Sequence, residues 1–273
     1  MPRIHPTAIV DAGARLADDV VIGPYCVFEP DVEIGAGTEL RSHVVVRRST
    51  TMGEGNVVDP FAVFGGLPQD VGFDPQIESR VRIGDGNVFR EGATISRASR
   101  PGAETVVGNN TYWMTSAHAG HDATVEDHAV LANNAGVAGH STLHRRAILS
   151  GNAMVHQFTW VGELVMTQGL TGISSHAPPY TMIARINTVV GLNAVGLRRA
   201  PDIDDEDRRQ IKEAFGLTYR SGLTPTAALA KMDTWDDITP AAAKFREFLR
   251  KVLNAEGRYR RGLCSPRHCR ERR

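Results

Sequence analysis

Large apolar residues recur every six positions along the start of the chain: Ile4, Val10, Leu16, Ile22, Phe28, Ile34, Leu40, Val46, Met52, Val58 and Phe64. The period resumes at Ile83, Phe89 and Ile95, and again from Val107 and Trp113 through Val125, Leu131, Val137, Leu143, Leu149, Val155 and Val161 to Ile173. Six is neither the 3.6-residue period of a helix nor the alternation of a half-buried strand, so the pattern describes a repeat architecture. Four residues after each large position stands a small or compact one, such as Ala8, Ala14, Cys26, Thr38 and Ala62, then Ala117, Ala123, Ala129 and Ala135. One large and one small inward residue per side, with three sides closing a coil of about eighteen residues, predict a left-handed parallel β-helix of hexapeptide repeats. Glycines directly after the large residue (Gly23, Gly35, Gly53, Gly84, Gly108, Gly162) are expected to supply the left-handed backbone of tight corners.

The period lapses over 65–82 and 96–106, both polar and turn-rich, which marks two loops leaving the stack where binding residues commonly lie. Beyond Ile173 it fades through Pro178-Pro179, and from Pro201 a helical period replaces it. Three helices are predicted. The first covers about 203–221, opening on Asp204, Asp205, Glu206 and Asp207, presenting Ile211, Phe215 and Tyr219, and stopping at Gly222. The others start at Thr224-Pro225, presenting Leu229 and Met232, and at Thr239-Pro240, presenting Phe245, Leu249 and Val252, each with an N-cap threonine before a first-turn proline. The chain therefore divides into a β-helix domain at 1–190 and an α-helical C-terminal domain with an Arg-rich tail at 191–273. Roughly nine or ten coils at about 4.8 Å each make a flat-sided rod, and such rods pack side by side, which predicts a homotrimer with sites between subunits.

Composition is that of an ordinary globular chain, with 41% hydrophobic and 23% charged residues and zero formal charge. The zero hides a split, because residues 1–200 carry 15 Lys+Arg against 19 Asp+Glu and residues 201–273 carry 16 against 12. Seven arginines crowd into 255–273, an arrangement more typical of a solvated terminus than of a nucleic-acid patch. No apolar run approaches the roughly 18 residues of a membrane span, and the first residues lack a signal-peptide core, so no membrane span and a cytoplasmic location are expected. Three cysteines agree with that: Cys26 is an inward repeat position, and the spacing of Cys264 and Cys269 is a weak signal for a metal or disulfide.

Chemistry narrows to histidine. His118, His121, His128, His140, His144 and His156 crowd the third run of repeats, while a Gly-rich nucleotide fingerprint, a nucleophile elbow and a Cys-based zinc pattern are all missing. Imidazole suits proton transfer near neutral pH, which makes one of these histidines the natural general base. Zinc shared across a trimer interface through His118 and His121, or His140 and His144, is the competing use; the spacing of neither pair favours it, and no metal site is assigned.

The segments AHAGHDATVEDHAVLANNAGVAGH (117–140), MVHQF (154–158) and GLNAVGLRR (191–199), followed by an all-helical end, resemble the acyl-carrier-protein-dependent UDP-N-acetylglucosamine O-acyltransferases that begin lipid A synthesis. The resemblance runs from IHPTAIV at 4–10 to the third helix. It implies that His121 is the catalytic base acting on the sugar 3-hydroxyl, that Asp122 orients it, and that the Gly139 N–H stabilises the oxyanion. It further implies substrate contacts from Gln69, Asp70, His118, His140, His156 and Gln157, contacts to nucleotide and pantetheine near Asn193 and Arg199, and room for the acyl chain at Gly169. Acyl carrier protein and a sugar nucleotide are the implied partners, with no cofactor beyond the phosphopantetheine that carries the acyl group. Adjacent side chains in a strand point to opposite faces, so a His121–Asp122 pair requires a corner. Asn133-Asn134 reads as a stacked corner turn. The chain departs from the family pattern at Gly72, where a lysine is usual, and at Ser96, Val195 and Ala200, in place of histidine, glutamate and arginine. Those departures leave open an amino-sugar acceptor, or a paralogue that binds without turnover.

Overall fold

A computed structural model describes residues 1–266, so Cys269 and four of the tail arginines lie outside the described residues. Short strands end on the six-residue beat, as in Val21–Ile22, Val27–Phe28, Glu33–Ile34 and Glu39–Leu40. Each pairs in parallel with the strand one coil on, Val21 with Glu39 and Ile22 with Leu40, and among the described residues the ladders form three sheets of twelve, nine and eight strands. The fold is the expected left-handed β-helix. Its large inward residues fill the axis: Phe64, Phe89 and Trp113 succeed one another at 4.9 and 5.5 Å between ring centres, edge-on and then tilted, and are fully buried. The small inward set, including Ala62, Ala93, Ala117 and Ala135, is buried beside them. The first coil is open at its outer end, leaving Ile4 exposed.

The corners correct one expectation. Left-handed backbone falls on the third residue after the large one, at Tyr25 (φ 59°), Asp31 (59°), His43 (60°) and Phe61 (66°), with glycine there only in places such as Gly37 and Gly55. Gly35 and Gly162 serve a different need. A Cβ on Gly35 would stand 2.6 Å from the Gly53 carbonyl carbon, and one on Gly162 would stand 2.4 Å from the Pro179 nitrogen, so these glycines admit the backbone of the next coil. The corner N–H groups donate back one coil, Asn134 to the Thr115 carbonyl at 3.0 Å and Asn152 to that of Asn133 at 2.9 Å. Asn134 is thus the corner residue its sequence suggested (φ 57°).

Both loops leave where the period lapses, though strands Val63–Gly66, Arg80–Ile83, Thr94–Ser96 and Glu104–Val107 shorten them to 67–79 and 97–103. Arg97 of the second loop is buried and pins the first. It donates to the Pro75 and Ile77 carbonyls at 2.8 Å each and lies 5.4 Å from the Phe73 ring centre. Past the last coil an antiparallel hairpin, Thr181–Ala184 with Thr188–Leu192, leads to α1 (Ala194–Arg199), which periodicity did not reveal. Helices α2 (Asp205–Tyr219), α3 (Pro225–Met232) and α4 (Pro240–Leu253) follow the predicted starts. Asp204 forms a capping box with Asp207, and Thr224 and Thr239 cap the N–H groups of Ala227 and Ala242. The helices pack Ile211, Met232, Phe245 and Leu249 against Leu164 and Tyr180 of the final coils. Polar ties support that contact: Lys244 pairs with Glu163 at 2.6 Å, and Arg145 bridges to Asp202 at 2.8 Å.

Gly35→Ala should therefore destabilise the protein by about 1–3 kcal/mol through overpacking, whereas Gly55→Asn, at an open left-handed position, should stay within about 0.5 kcal/mol. Thermal denaturation of the two variants checks this; equal losses would contradict the assignment of the corner.

Candidate active site

Coils around strands His118–Ala119, Gly136–Val137 and Met154–Val155 turn at the same edge of the nine-stranded sheet and place their corners in columns. Asp122, His140 and Phe158 occupy the left-handed position (φ 58°, 59° and 60°), and His121, Gly139 and Gln157 precede them. The corner solves the geometry that a strand forbids. Its turn at Asp122 brings that carboxylate back to the neighbouring ring, with His121 Nδ1 2.7 Å from Asp122 Oδ2.

Asp122 is held from several directions. Ser99 donates to the same Oδ2 through its N–H at 3.0 Å and its hydroxyl at 2.7 Å, and the Asp122 N–H donates to Thr105 Oγ1 at 2.8 Å. Burial disfavours ionisation of this carboxyl, but the hydrogen bonds from His121 and Ser99, with the nearby His140, outweigh it and hold its pKa at about 2. An ionised acceptor at Nδ1 places the ring hydrogen there and leaves the His121 Nε2 lone pair free. His140 Nε2 lies 3.7 Å from Asp122 Oδ2; its ring meets His121 edge-on at 5.0 Å and stacks on Phe158 at 4.5 Å with 8° between planes. Burial pulls His140 below the ordinary imidazole value despite Asp122, and does the same to His118, whose Nδ1 is 2.8 Å from Thr94 Oγ1.

Glycine at 139 is required by space. A Cβ there would sit 2.8 Å from His121 Cε1 and Nε2, so the imidazole rests directly against backbone. Among the described residues no acceptor takes the Gly139 N–H, although its carbonyl accepts from Phe158 at 3.2 Å. A cavity of about 570 Å³ opens beside these groups, lined by Gln69, His118, His121, Gly139, His156 and Gln157, with Met154 and Ile186 as apolar walls. Eight of the sequence-derived positions are thus gathered at one centre, counting Asp122 and His140 behind His121.

Others are placed elsewhere in this single chain. Asp70 accepts from the Gly72 N–H at 2.9 Å within the exposed first loop. Gly169 lies exposed at the corner that follows strand Met166–Thr167 of the twelve-stranded sheet. Asn193 is buried as the cap of α1, accepting from Gly196 N–H at 3.0 Å and donating to the Leu164 carbonyl at 2.9 Å, and Arg199 is exposed in the last turn of that helix. Of the departures, Gly72 and Val195 are exposed while Ser96 and Ala200 are buried. Residue-type reasoning missed Ser99, Thr105 and Phe158. Phe158 stands eighteen residues after His140, so the repeat itself was the available signal. The ligand atoms of His121, Asp122 and His140 lie within 4.8 Å of one another, close enough to share a metal ion, a different set from the pairs weighed on sequence.

The hexapeptide β-helix thus carries a histidine held at one nitrogen by a carboxylate, beside a backbone N–H that has no acceptor among the described residues. The family models for "Udp N-acetylglucosamine O-acyltransferase; Domain 2" and for the bacterial transferase hexapeptide match residues 177–264 and 13–48. The acyl-[acyl-carrier-protein]--UDP-N-acetylglucosamine O-acyltransferase of Syntrophobacter fumaroxidans is 44% identical over 233 residues, 84% of this chain and 90% of its own. Among solved structures, the UDP-N-acetylglucosamine O-acyltransferase of Moraxella catarrhalis superposes with a TM-score of 0.88 at 34% identity, covering 96% of this chain and 99% of that one. The Francisella novicida UDP-N-acetylglucosamine acyltransferase gives 0.85 at 35% identity, covering 96% and 94%. The chain belongs to the family of acyl-[acyl-carrier-protein]--UDP-N-acetylglucosamine O-acyltransferases.

His118, His140 and His176 all titrate below 6.5 in the fold, with burial the leading cause. The unfolded chain binds protons that the folded one refuses, so stability must fall as pH drops below that value, by at most about 1.4 kcal/mol per pH unit for each histidine. Melting curves from about pH 7.5 to 5.5 should show the decline, and His118→Gln should flatten it; a pH-independent Tm would contradict the assignment.

Proposed function

We propose that this acyltransferase moves a 3-hydroxyacyl group from the phosphopantetheine of acyl carrier protein to the 3-hydroxyl of UDP-N-acetylglucosamine, the first step of lipid A biosynthesis, with His121 as general base. The observation that carries the reading is the His121–Asp122 contact at 2.7 Å, beside a cavity that His121 and Gly139 both line. In this reading His121 Nε2 takes the proton of the sugar hydroxyl as its oxygen attacks the thioester carbonyl. The Gly139 N–H, which needs no rearrangement to donate, stabilises the oxyanion. Collapse breaks the C–S bond, and the departing thiolate recovers the proton from His121. Asp122 stays ionised throughout and stabilises the imidazolium. Gln69, His118, His156 and Gln157 hold the sugar nucleotide in the cavity, Gly169 leaves room for the acyl chain, and Arg199 with the basic C-terminal part receives the acidic carrier.

The reading includes a homotrimer. Outward positions of two sheets are largely apolar, with Ile9, Val27, Val45 and Val63 on one and Val21, Val57, Val88 and Ile148 on the other. The third presents Arg15, Glu33, Thr51 and Arg82. Two apolar faces at a prism edge suit packing around a threefold axis, which would bring Asp70, Asn193 and Arg199 toward a neighbour's corner column. The reading places the reaction in the cytoplasm. No described helix is long and apolar enough to cross a membrane.

Purified protein given 3-hydroxyacyl carrier protein and UDP-N-acetylglucosamine should form the ester, and His121→Ala should lower kcat about 10²–10⁴-fold. Wild-type turnover in that variant would remove the base from His121. Analytical ultracentrifugation should give three times the 29.7 kDa chain mass; a monomer would exclude the shared site.

A further inference from the structure

The segment after α4 returns to the β-helix through a short 3₁₀ turn, Gly257–Tyr259, laid against the corner column behind the reacting groups. His176 fastens it. This fully buried ring accepts the Trp160 N–H at Nδ1 (3.0 Å), so Nε2 carries the hydrogen that it donates to the Tyr259 carbonyl at 2.7 Å. The Tyr259 ring then lies stacked on Trp160 at 5.0 Å and edge-on to Phe158 at 5.3 Å. Its hydroxyl donates to the His140 carbonyl at 2.9 Å. Phe158 in turn is the surface on which the His140 ring stacks, and Arg258 lies over the Phe158 ring at 5.3 Å.

From this geometry we infer that Tyr259 is a positioning residue for acyl transfer, clamping His140 by its backbone and, through Phe158, by its ring. The inference rests on the acyl-transfer reading above. His140 is the wall behind the acid–base pair, touching the His121 ring edge-on and lying 3.7 Å from Asp122. A His140 free to turn off Phe158 would loosen the imidazole that must meet both sugar hydroxyl and thioester. The substrate cavity itself is lined by other residues, so loss of the clamp should act on turnover and leave binding alone. The C-terminal segment is in this way part of the catalytic centre of its own chain.

The test compares Tyr259→Phe, which keeps the ring and removes the hydroxyl, with Tyr259→Leu, which removes both. Tyr259→Phe is expected to lower kcat about 5-fold, the effect of one hydrogen bond, and Tyr259→Leu about 20-fold or more, each with the KM for sugar nucleotide within about 2-fold of wild type. Crystal structures should show the His140 backbone shifted in Tyr259→Phe and the His140 ring displaced from Phe158 or disordered in Tyr259→Leu, a readout independent of turnover. Unchanged kcat with His140 in its original pose overturns the inference, as does a rise in KM at constant kcat. Wild-type protein that makes no ester sinks the acyl-transfer reading instead, and the crystal structures still decide whether Tyr259 holds His140.

Discussion

Everything in this molecule follows from a corner that has to be turned in a left-handed backbone conformation, coil after coil, by residues that are mostly not glycine. Among the described residues, nineteen non-glycine residues have positive φ, each at a conformation that costs on the order of 1–2 kcal/mol. Inter-coil hydrogen bonds offset that cost: the N–H at the corner finds a carbonyl of the coil before it, as His140 does with His121 at 3.0 Å. A corner therefore exists only as a member of a stack. The inward packing of Phe64, Phe89 and Trp113 fixes the spacing at which the stack repeats.

The site is what such a stack does when three of its corners carry the right side chains. Asp122 faces His121 because the backbone is left-handed there, and His140 lies beside both because it is the same corner one coil later. Gly139 opens the space that the imbalance of a large ring and a tight coil would otherwise close, since any side chain there meets His121. Buried hydrogen bonds keep Asp122 ionised, which gives His121 its orientation and its free nitrogen. Rigidity here comes from the fold, which brings His121 and Asp122 together at one corner.

Much of this was legible in the chain. The six-residue period gave shape, strand ends and loop exits, and the Thr-Pro pairs marked the starts of α3 and α4. Glycine was misread: its preference for left-handed backbone is real, but at Gly35 and Gly162 the missing Cβ serves close approach between coils. Contacts between His121, Asp122 and Gly139 depended on which corner residue turns, a backbone angle that period alone does not fix. Ser99 escaped notice because an ejected loop breaks the register that ties it to Asp122, 23 residues later. Asn193 caps and Arg199 ends α1, six residues long and too short to leave a periodic trace, and a single chain does not bring them to the cavity.

The central claim is that Asp122 fixes His121 with its hydrogen on Nδ1 and its lone pair on Nε2. Nitrogen-15 NMR of the imidazole rings at neutral pH tests it directly. The account predicts a protonated, pyrrole-like Nδ1 and an unprotonated Nε2 for His121, a pattern lost in Asp122→Ala. A His121 protonated at Nε2 alone, with Asp122 intact, would contradict it.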